Sequence, residues 1–541
     1  RATPLVLLSL AMLLGAGVTA LVARVHRTGL IVGAGVLGVV VAATTPLWTG
    51  AIIADGFTQP AHVPTYVQQA ATTLNSVHQS TRVFAIPGNN FAAYRWGDTI
   101  DTAFPALLTR PFVTHEQQIM GSLPTAAVLN AVDVPIQEGT MDWNALAPMA
   151  SLMSSGDVLV QYDLAYERYD TPNPQVIARQ LQPTPPGLSH PVSYGAPLPN
   201  VATIPRLDET ALGVQTNAPW PSPLVSYTVA QPRPIIRGES LAHPLVVDGD
   251  ANGIMNAAAV GMLSTNPTIL YAGTLDTNKA LQKSTLSHPA DLVVTDTNRK
   301  RGFRWNSLEE NAGYTETASQ RPDIEDPSDA PLDIFPQAPA DAQTTTVFRD
   351  IDAVSASSYA NSITYFAENR PSAALDNDAQ TAWLDDSFAS PIGQWWQVKL
   401  KRPTSTGTLN LVQPQTGDPN RWITKVTVTF DGRSPVTLKL GPASRTVTGE
   451  RFTFPSRTFT TMRISVDNWA GSSVFTGASA VGFAEVQIPG VQADETVALP
   501  QDLLRAAGPS SAADRLTFLF TRLRSSGAPP RTDTEPFLSR S

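Results

Sequence analysis

Residues 371–400 read PSAALDNDAQTAWLDDSFASPIGQWWQVKL, from Pro371 to Leu400. An acidic turn comes first, then a single tryptophan, then a run that opens on Trp395 and Trp396 and alternates apolar with polar residues. Such alternation marks a strand with one buried face. The same pattern recurs in SITYFA, GTLNLVQ, KVTVTFDG, PVTLKL, RFTFPS, TTMRISVDN and GFAEVQI, with no helical period between them. Short strands at this spacing predict an antiparallel β-sandwich over residues 347–490.

Working back from the sandwich, residues 323–346 (DIEDPSDAPLDIFPQAPADAQTTT) are rich in Pro, Asp and Ala without periodicity, which reads as a semi-extended linker. Before it, PLVVDG, NGIMNAAAVGML, TILYAG, LDTNKALQKSTL and ADLVVTDTN alternate strand with helix. That order predicts a parallel α/β subdomain within residues 218–322. Ligands of open parallel sheets bind beyond the carboxyl ends of the strands, so Asp248, Gly273 and Asp296 mark where a site could lie, although no glycine-rich phosphate loop accompanies them. DGDANG from Asp248 starts like a calcium-binding loop, but its twelfth position is Ala259, not the required glutamate. An acidic turn capping a helix is the better reading. Residues 51–217 mix helical and strand signals: HVPTYVQQAATTLNSV, TRVFAIPG and GDVLVQYDLAYERY, the last presenting Asp163 and Glu167.

At the start of the chain, Pro4–Ala23 and Thr28–Trp48 carry no charge and are long enough to cross the hydrocarbon core, so residues 1–50 read as two transmembrane helices. The loop between them holds Arg24, His26 and Arg27, and short basic loops stay cytoplasmic, which places the chain after about residue 50 outside. Two buried helices of a soluble core are the alternative. The chain opens on Arg1 with no methionine and reads as the end of a longer multi-span core. Residues 491–541, with the amphipathic run RLTFLFTRLR, read as the start of a further, truncated module.

Composition narrows the function. The formal net charge is −9 and charged residues make up 15% of the chain, which argues against a nucleic-acid partner. With no cysteine, disulfides and thiolate metal sites are excluded.

The sandwich resembles the discoidin, or coagulation factor 5/8 C-terminal, family, whose bacterial members are often carbohydrate-binding modules. The resemblance rests on Ala356–Ser357, ALDNDAQTAW, QWWQVKL and FAEVQI in that order. It implies a discoidin-like jelly roll with a structural calcium held by Asp376, Asp378, Thr381 and Glu485; the alternative is that these acids only satisfy turn amides. Asn377 stands where the family prefers glycine, and asparagine tolerates the left-handed backbone needed there. Trp383, following the turn, is expected in the core, whereas Trp422 and Trp469 are candidates for stacking on a sugar.

The longer chain resembles the actinobacterial α-(1→3)-arabinofuranosyltransferase family, through PGNNFAAYRWGDTID, DLAYERYDTPNP, PVSYGAPLPN, HPLVVDGDANGI, DLVVTDTNRKRGFRW and ENAGYTET. The resemblance implies a multidomain plasma-membrane glycosyltransferase: transmembrane helices, a mixed α/β extracytoplasmic region, then the sandwich. It further implies a decaprenyl-phosphate-arabinose (polyprenyl-phosphate) donor and an arabinan or arabinogalactan acceptor in cell wall biogenesis. The catalytic carboxylate is expected upstream of Arg1. Asn89, Asn90, Tyr94, Arg95 and Trp96 suit hydrogen bonding to sugar hydroxyls and pairing with a phosphate. A packed turn with Arg95 satisfied by Asp98 or a carbonyl is the competing reading. A second functional class stays open: a membrane-anchored polysaccharide-binding or scaffold protein without catalytic activity.

Overall fold

The computed structural model describes residues 3–24, 29–49, 62–88, 92–115, 123–137, 139–168, 171–189, 191–203, 218–303, 314–320, 330–359, 369–386, 389–415, 420–473, 479–508 and 515–520. Two compact units divide the chain, one of residues 1–64 and 92–101, the other of residues 65–91 and 102–541.

In the first unit both apolar stretches are helical, Thr3–Arg24 and Gly29–Ala43, with a short helix Thr45–Thr49 after the second. A proline at position 46 lacks the N–H that would reach the Ala42 carbonyl, and the Thr45 hydroxyl takes that acceptor instead at 2.5 Å. The second helix is therefore cut to 15 residues, about 22 Å, short of a hydrocarbon core of about 30 Å. Among the described residues no helix is long and apolar enough to cross a membrane. The unit also holds a hairpin in which Ala92–Tyr94 pairs antiparallel with Gly97–Ile100.

The second unit begins with the helix Thr65–Ser76, which buries Val67, Ala70, Ala71 and Leu74, the face its spacing predicts. It leads into a five-stranded sheet ordered Phe112–Val113, Arg82–Ile86, Ser155–Gln161, Leu224–Thr228, Val192–Tyr194. The first three strands are parallel and the last two antiparallel. The fully buried Arg110 ties this sheet to the first helix: Nη1 reaches Asp157 Oδ2 at 2.7 Å and the Leu74 carbonyl at 2.8 Å.

A second sheet is wholly parallel, in the order Arg515–Leu519, Asp291–Thr295, Leu245–Asp248, Ile269–Tyr271. The strands and helices read from residues 244–298 are all present. Asp250 caps the helix Ala251–Ala259 by accepting the Asn252 N–H at 2.9 Å, as the acidic-turn reading requires. Gly249 is needed there, because a Cβ would lie 2.0 Å from Thr295 Oγ1. The two sheets share one apolar core in which Phe84, Ile86, Val158 and Val160 meet Val247, Ile254 and Val293.

The stretch read as the opening of a further module contributes instead to this second sheet: Arg515–Leu519 is its edge strand, and the helix Asp502–Ala507 buries Leu503 and Ala507 against Val246, Leu275 and Val294. The sandwich is thus an insertion, leaving and returning at the paired strands Thr345–Phe348 and Glu495–Ala498. Part of the stretch read as a linker is pinned, since Ala330–Leu332 pairs with Arg301–Phe303 and the Thr344 N–H donates to the Asn298 carbonyl at 2.7 Å.

The sandwich is built on two long strands, Trp395–Val412 and Glu450–Gly471, flanked by Ile351–Ala356, Arg421–Phe430 and Arg433–Lys439. All these neighbours are antiparallel. Its core packs Trp383, Trp396, Ile423, Phe459, Met462 and Phe483. The expected strand SITYFA lies outside the described residues.

Candidate functional site

The acidic loop and the closing strand of the sandwich come together. Asn377 has φ +61°, the left-handed conformation anticipated for its place in the turn. Around it Asp376 accepts from the Asp378 N–H at 3.0 Å and from the Thr381 hydroxyl at 2.7 Å, while Asp378 accepts from the Gln380 N–H at 2.9 Å. Glu485, only 3% exposed, sits beneath, where the Asn377 and Asp378 N–H groups act to hold its carboxyl down. Burial first, then the charge of Asp376, pushes its carboxyl up to about 7. Its Oε1 is buried without a partner. The loop residues Asp376, Asp378 and Thr381 and the strand residue Glu485 are therefore close to one another. Among the described residues, however, no group of three or more His, Asp or Glu side chains is gathered as a metal-ligand set. The donors present are hard oxygens with one orphaned buried atom, a chemistry that suits calcium.

Trp383 is fully buried, with its Nε1 donating to the Ser358 carbonyl at 2.9 Å, so it belongs to the core as anticipated. The two candidate sugar platforms are half-buried and each lies under a guanidinium: Arg421 is 4.7 Å from the Trp469 ring centre and Arg445 is 4.5 Å from that of Trp422. They do not form one surface. Trp469 is paired with the core residue Ile423, and Trp422 with Ala470, and paired residues share a face while neighbours along a strand alternate. The Trp469 side is the richer in polar groups. Arg421 donates to the Ser472 carbonyl at 2.9 Å, and the buried Asp385, whose Oδ1 accepts the Val481 N–H at 2.7 Å, lies near enough to feel its charge. Burial holds the Asp385 carboxyl well above its ordinary value; the Val481 N–H and Arg421 oppose that rise. Sequence reading missed Arg421 and Asp385, whose only signal was adjacency to the tryptophan and the acidic turn.

Of the segment PGNNFAAYRWGD, Asn89 and Asn90 lie outside the described residues. Tyr94, Arg95 and Trp96 sit on the hairpin, where Tyr94 and Trp96 stack at 4.6 Å between ring centres. Asp163 and Glu167 are engaged within the fold: Asp163 Oδ2 accepts the Tyr66 hydroxyl at 2.9 Å, and Glu167 Oε1 accepts the Thr203 N–H at 3.1 Å. At the carboxyl end of the second sheet, Asp248 lies within electrostatic reach of Asp276 and Asp502, two residues that sequence did not single out.

Comparison with known proteins adds to this geometry. A family profile described as alpha-(1->3)-arabinofuranosyltransferase, N-terminal GT-C domain, matches residues 3–331, and an F5/8 type C domain profile matches residues 353–477. The alpha-(1->3)-arabinofuranosyltransferase of Mycolicibacterium smegmatis is 23% identical over 398 residues, covering 70% of this chain and 27% of that protein. The protein of the same name from Mycobacterium tuberculosis is 24% identical over 397 residues, covering 69% and 26%. The chain thus spans about a quarter of the length of the curated relatives it matches. Among solved structures, the single-particle cryo-EM structure of arabinofuranosyltransferase AftD from mycobacteria matches with a TM-score of 0.62 at 17% identity, covering 88% of this chain and 35% of that one, a likeness of fold. Because the first profile takes in more than half of the 541 residues and the sandwich follows it, the chain belongs to the alpha-(1->3)-arabinofuranosyltransferase GT-C family, a family of integral membrane glycosyltransferases.

Proposed function

We propose that this chain is part of an integral membrane enzyme that adds arabinofuranose from decaprenyl-phosphate-arabinose to arabinan or arabinogalactan of the cell envelope. The observation that carries the reading is the joining, in one chain, of the family's residues 3–331 to a sandwich of the F5/8 type C kind. The enzyme sits in the plasma membrane, with the chain after about residue 50 on the outer side, the orientation favoured by Arg24 and Arg27.

Transfer requires a base for the acceptor hydroxyl and positive or donor groups for the departing phosphate. In this chain Arg95 is the phosphate partner, beside the stacked rings of Tyr94 and Trp96, and Asn89 and Asn90 bond sugar hydroxyls. The sandwich holds the polymer through Trp469 with Arg421, and through Trp422 on its other face. Asp376, Asp378, Thr381 and Glu485 would hold calcium there, and the ion would supply the positive charge that the closely placed carboxylates lack and tie the loop to the last strand.

The test is transfer of labelled arabinose from decaprenyl-phosphate-arabinose to a synthetic arabinan oligosaccharide by membranes carrying the full-length protein. Incorporation that falls at least tenfold in Arg95→Ala supports the reading. Binding of the oligosaccharide without any incorporation would replace it with the anchored polysaccharide-binding protein.

A further inference from the structure

Before it enters the sandwich the chain runs through residues 333–344, which are anchored at two separate strand ends of the parallel sheet. Phe335 is 7% exposed and packs on the last residue of the strand Ile269–Tyr271, with its ring centre 5.1 Å from that of Tyr271. Gly273 makes room for it, because a Cβ there would lie 2.6 Å from Phe335 Cγ. A turn fixes the ring: Asp333 Oδ1 accepts the Phe335 N–H at 2.8 Å, and the Phe335 carbonyl accepts the Ala338 N–H at 2.9 Å. The other anchor is Asn298, just beyond the strand Asp291–Thr295. Its side chain donates to the Ala342 carbonyl at 2.8 Å and its carbonyl accepts the Thr344 N–H at 2.7 Å, all three residues being buried. In the sheet Leu245–Asp248 lies between these two strands, so the segment spans its carboxyl end.

That end is where such a sheet takes a ligand. From Leu245–Asp248 the chain passes to a parallel neighbour on one side, then to one on the other, and ligands of open parallel sheets bind in the crevice where the connections diverge. Of the positions marked there from the sequence, Gly273 is covered by Phe335, Asp296 pairs with Arg299 at 3.1 Å and Asp248 is buried. The same segment also holds both legs of the sandwich. Thr344 leads directly into the outgoing strand Thr345–Phe348, which pairs with the returning strand Glu495–Ala498. The returning leg is tied to Asp341, whose carbonyl accepts the Gln501 N–H at 2.8 Å and whose carboxylate accepts from Arg505 at 2.9 Å.

We infer that residues 333–344 are a strap, keyed by Phe335 in the seat left by Gly273, that closes the crevice of the parallel sheet and sets the direction in which the sandwich stands. Its two ends are unequal. The bonds at Asn298 are buried and act as the pivot, whereas the pair between Asp341 and Arg505 is exposed and weak by itself, so burial of the Phe335 ring is what holds the strap down. When the ring leaves its seat the strap lifts about Asn298, the crevice opens, Asp341 lets go of the returning leg, and the sandwich turns on the paired strands. The strap does not depend on the glycosyltransferase reading.

Two variants of the intact chain test it by different routes: Phe335→Ala removes the key, and Gly273→Ala fills its seat while leaving the ring. Both are expected to speed hydrogen exchange at the Ala338 and Gln501 N–H groups about tenfold, while exchange at the Thr344 pivot and at Trp396–Leu400 in the sandwich stays level. The chain has no cysteine, so cysteines placed at the exposed Val260 and Val447 carry a pair of spin labels between the parallel layer and the sandwich. One narrow distance is expected in the otherwise unmodified chain, and a second population in both variants. Exchange at Gln501 that stays level in both variants overturns the strap. Faster exchange with no change in distance overturns its control of the sandwich. Should neither variant fold, the unmodified chain decides, since a broad spread of distances there means that nothing fixes the sandwich.

Discussion

Trp422 and Trp469 stand on opposite faces of one antiparallel pair of strands, because Trp469 is opposite Ile423 while Trp422 is opposite Ala470. One sugar ring cannot stack on both. The Trp469 face combines an aromatic ring with Arg421 and Asp385, so Trp469→Ala is expected to weaken arabinan binding by the chain about tenfold, or ~1.4 kcal/mol. Trp422→Ala changes affinity independently, and the two losses add as free energies when measured by calorimetry. A strongly non-additive pair would show that both rings contact one ligand unit.

Calcium is expected to raise the melting temperature of the sandwich, and a chelator to lower it. At about a hundred times its Kd the metal adds about 2.7 kcal/mol, because it binds only the folded loop. Glu485→Gln abolishes the response to calcium but in chelator is at least as stable as the unmodified protein, since a buried carboxyl whose Oε1 has no partner has been neutralised. Scanning calorimetry with and without chelator decides; a melting curve indifferent to both treatments removes the metal and leaves the acids as turn acceptors.

Trp383→Ala opens a cavity beside Phe483, whose ring centre is 6.0 Å away, and removes the bond to the Ser358 carbonyl. A loss of about 3–5 kcal/mol is expected in denaturant titration, against less than about 0.5 kcal/mol for substitution at the exposed Asn468. A small loss at Trp383 would mean the ring is not locked in the core.

Arg110→Met removes the guanidinium 2.7 Å from the buried Asp157 and leaves it only the partly exposed His78 ring at 3.1 Å and the Thr228 hydroxyl at 3.3 Å. Destabilisation of about 3–5 kcal/mol is expected, with much of it recovered when Asp157 is changed to Asn in the same chain. Recovery in the double variant, read by urea titration, separates an uncompensated charge from simple loss of packing.

What could be read locally was read from sequence. The face of Thr65–Ser76, the alternation of strand and helix from residue 244 to residue 298, the cap at Asp250, the left-handed Asn377 and the inward Trp383 each depend on residues a few positions apart. Periodicity, side-chain capping and backbone sterics act over that range. The calcium candidates were named from the pattern of a family, and folding brings Asp376 and Glu485 into electrostatic reach of each other.

Other features had no local signature. Parallel pairing joins strands through long connections, so nothing in RLTFLFTRLR announces that Arg515–Leu519 lies beside Asp291–Thr295, with the sandwich inserted between them. The opposite faces of Trp422 and Trp469 follow from strand register, which a one-residue shift would reverse. Asp248 and Asp502 come within electrostatic reach of each other, both buried, only through the fold. Sequence determined the elements and many of their faces; tertiary structure decided which distant residues meet, because pairing and burial depend on the path of the whole chain.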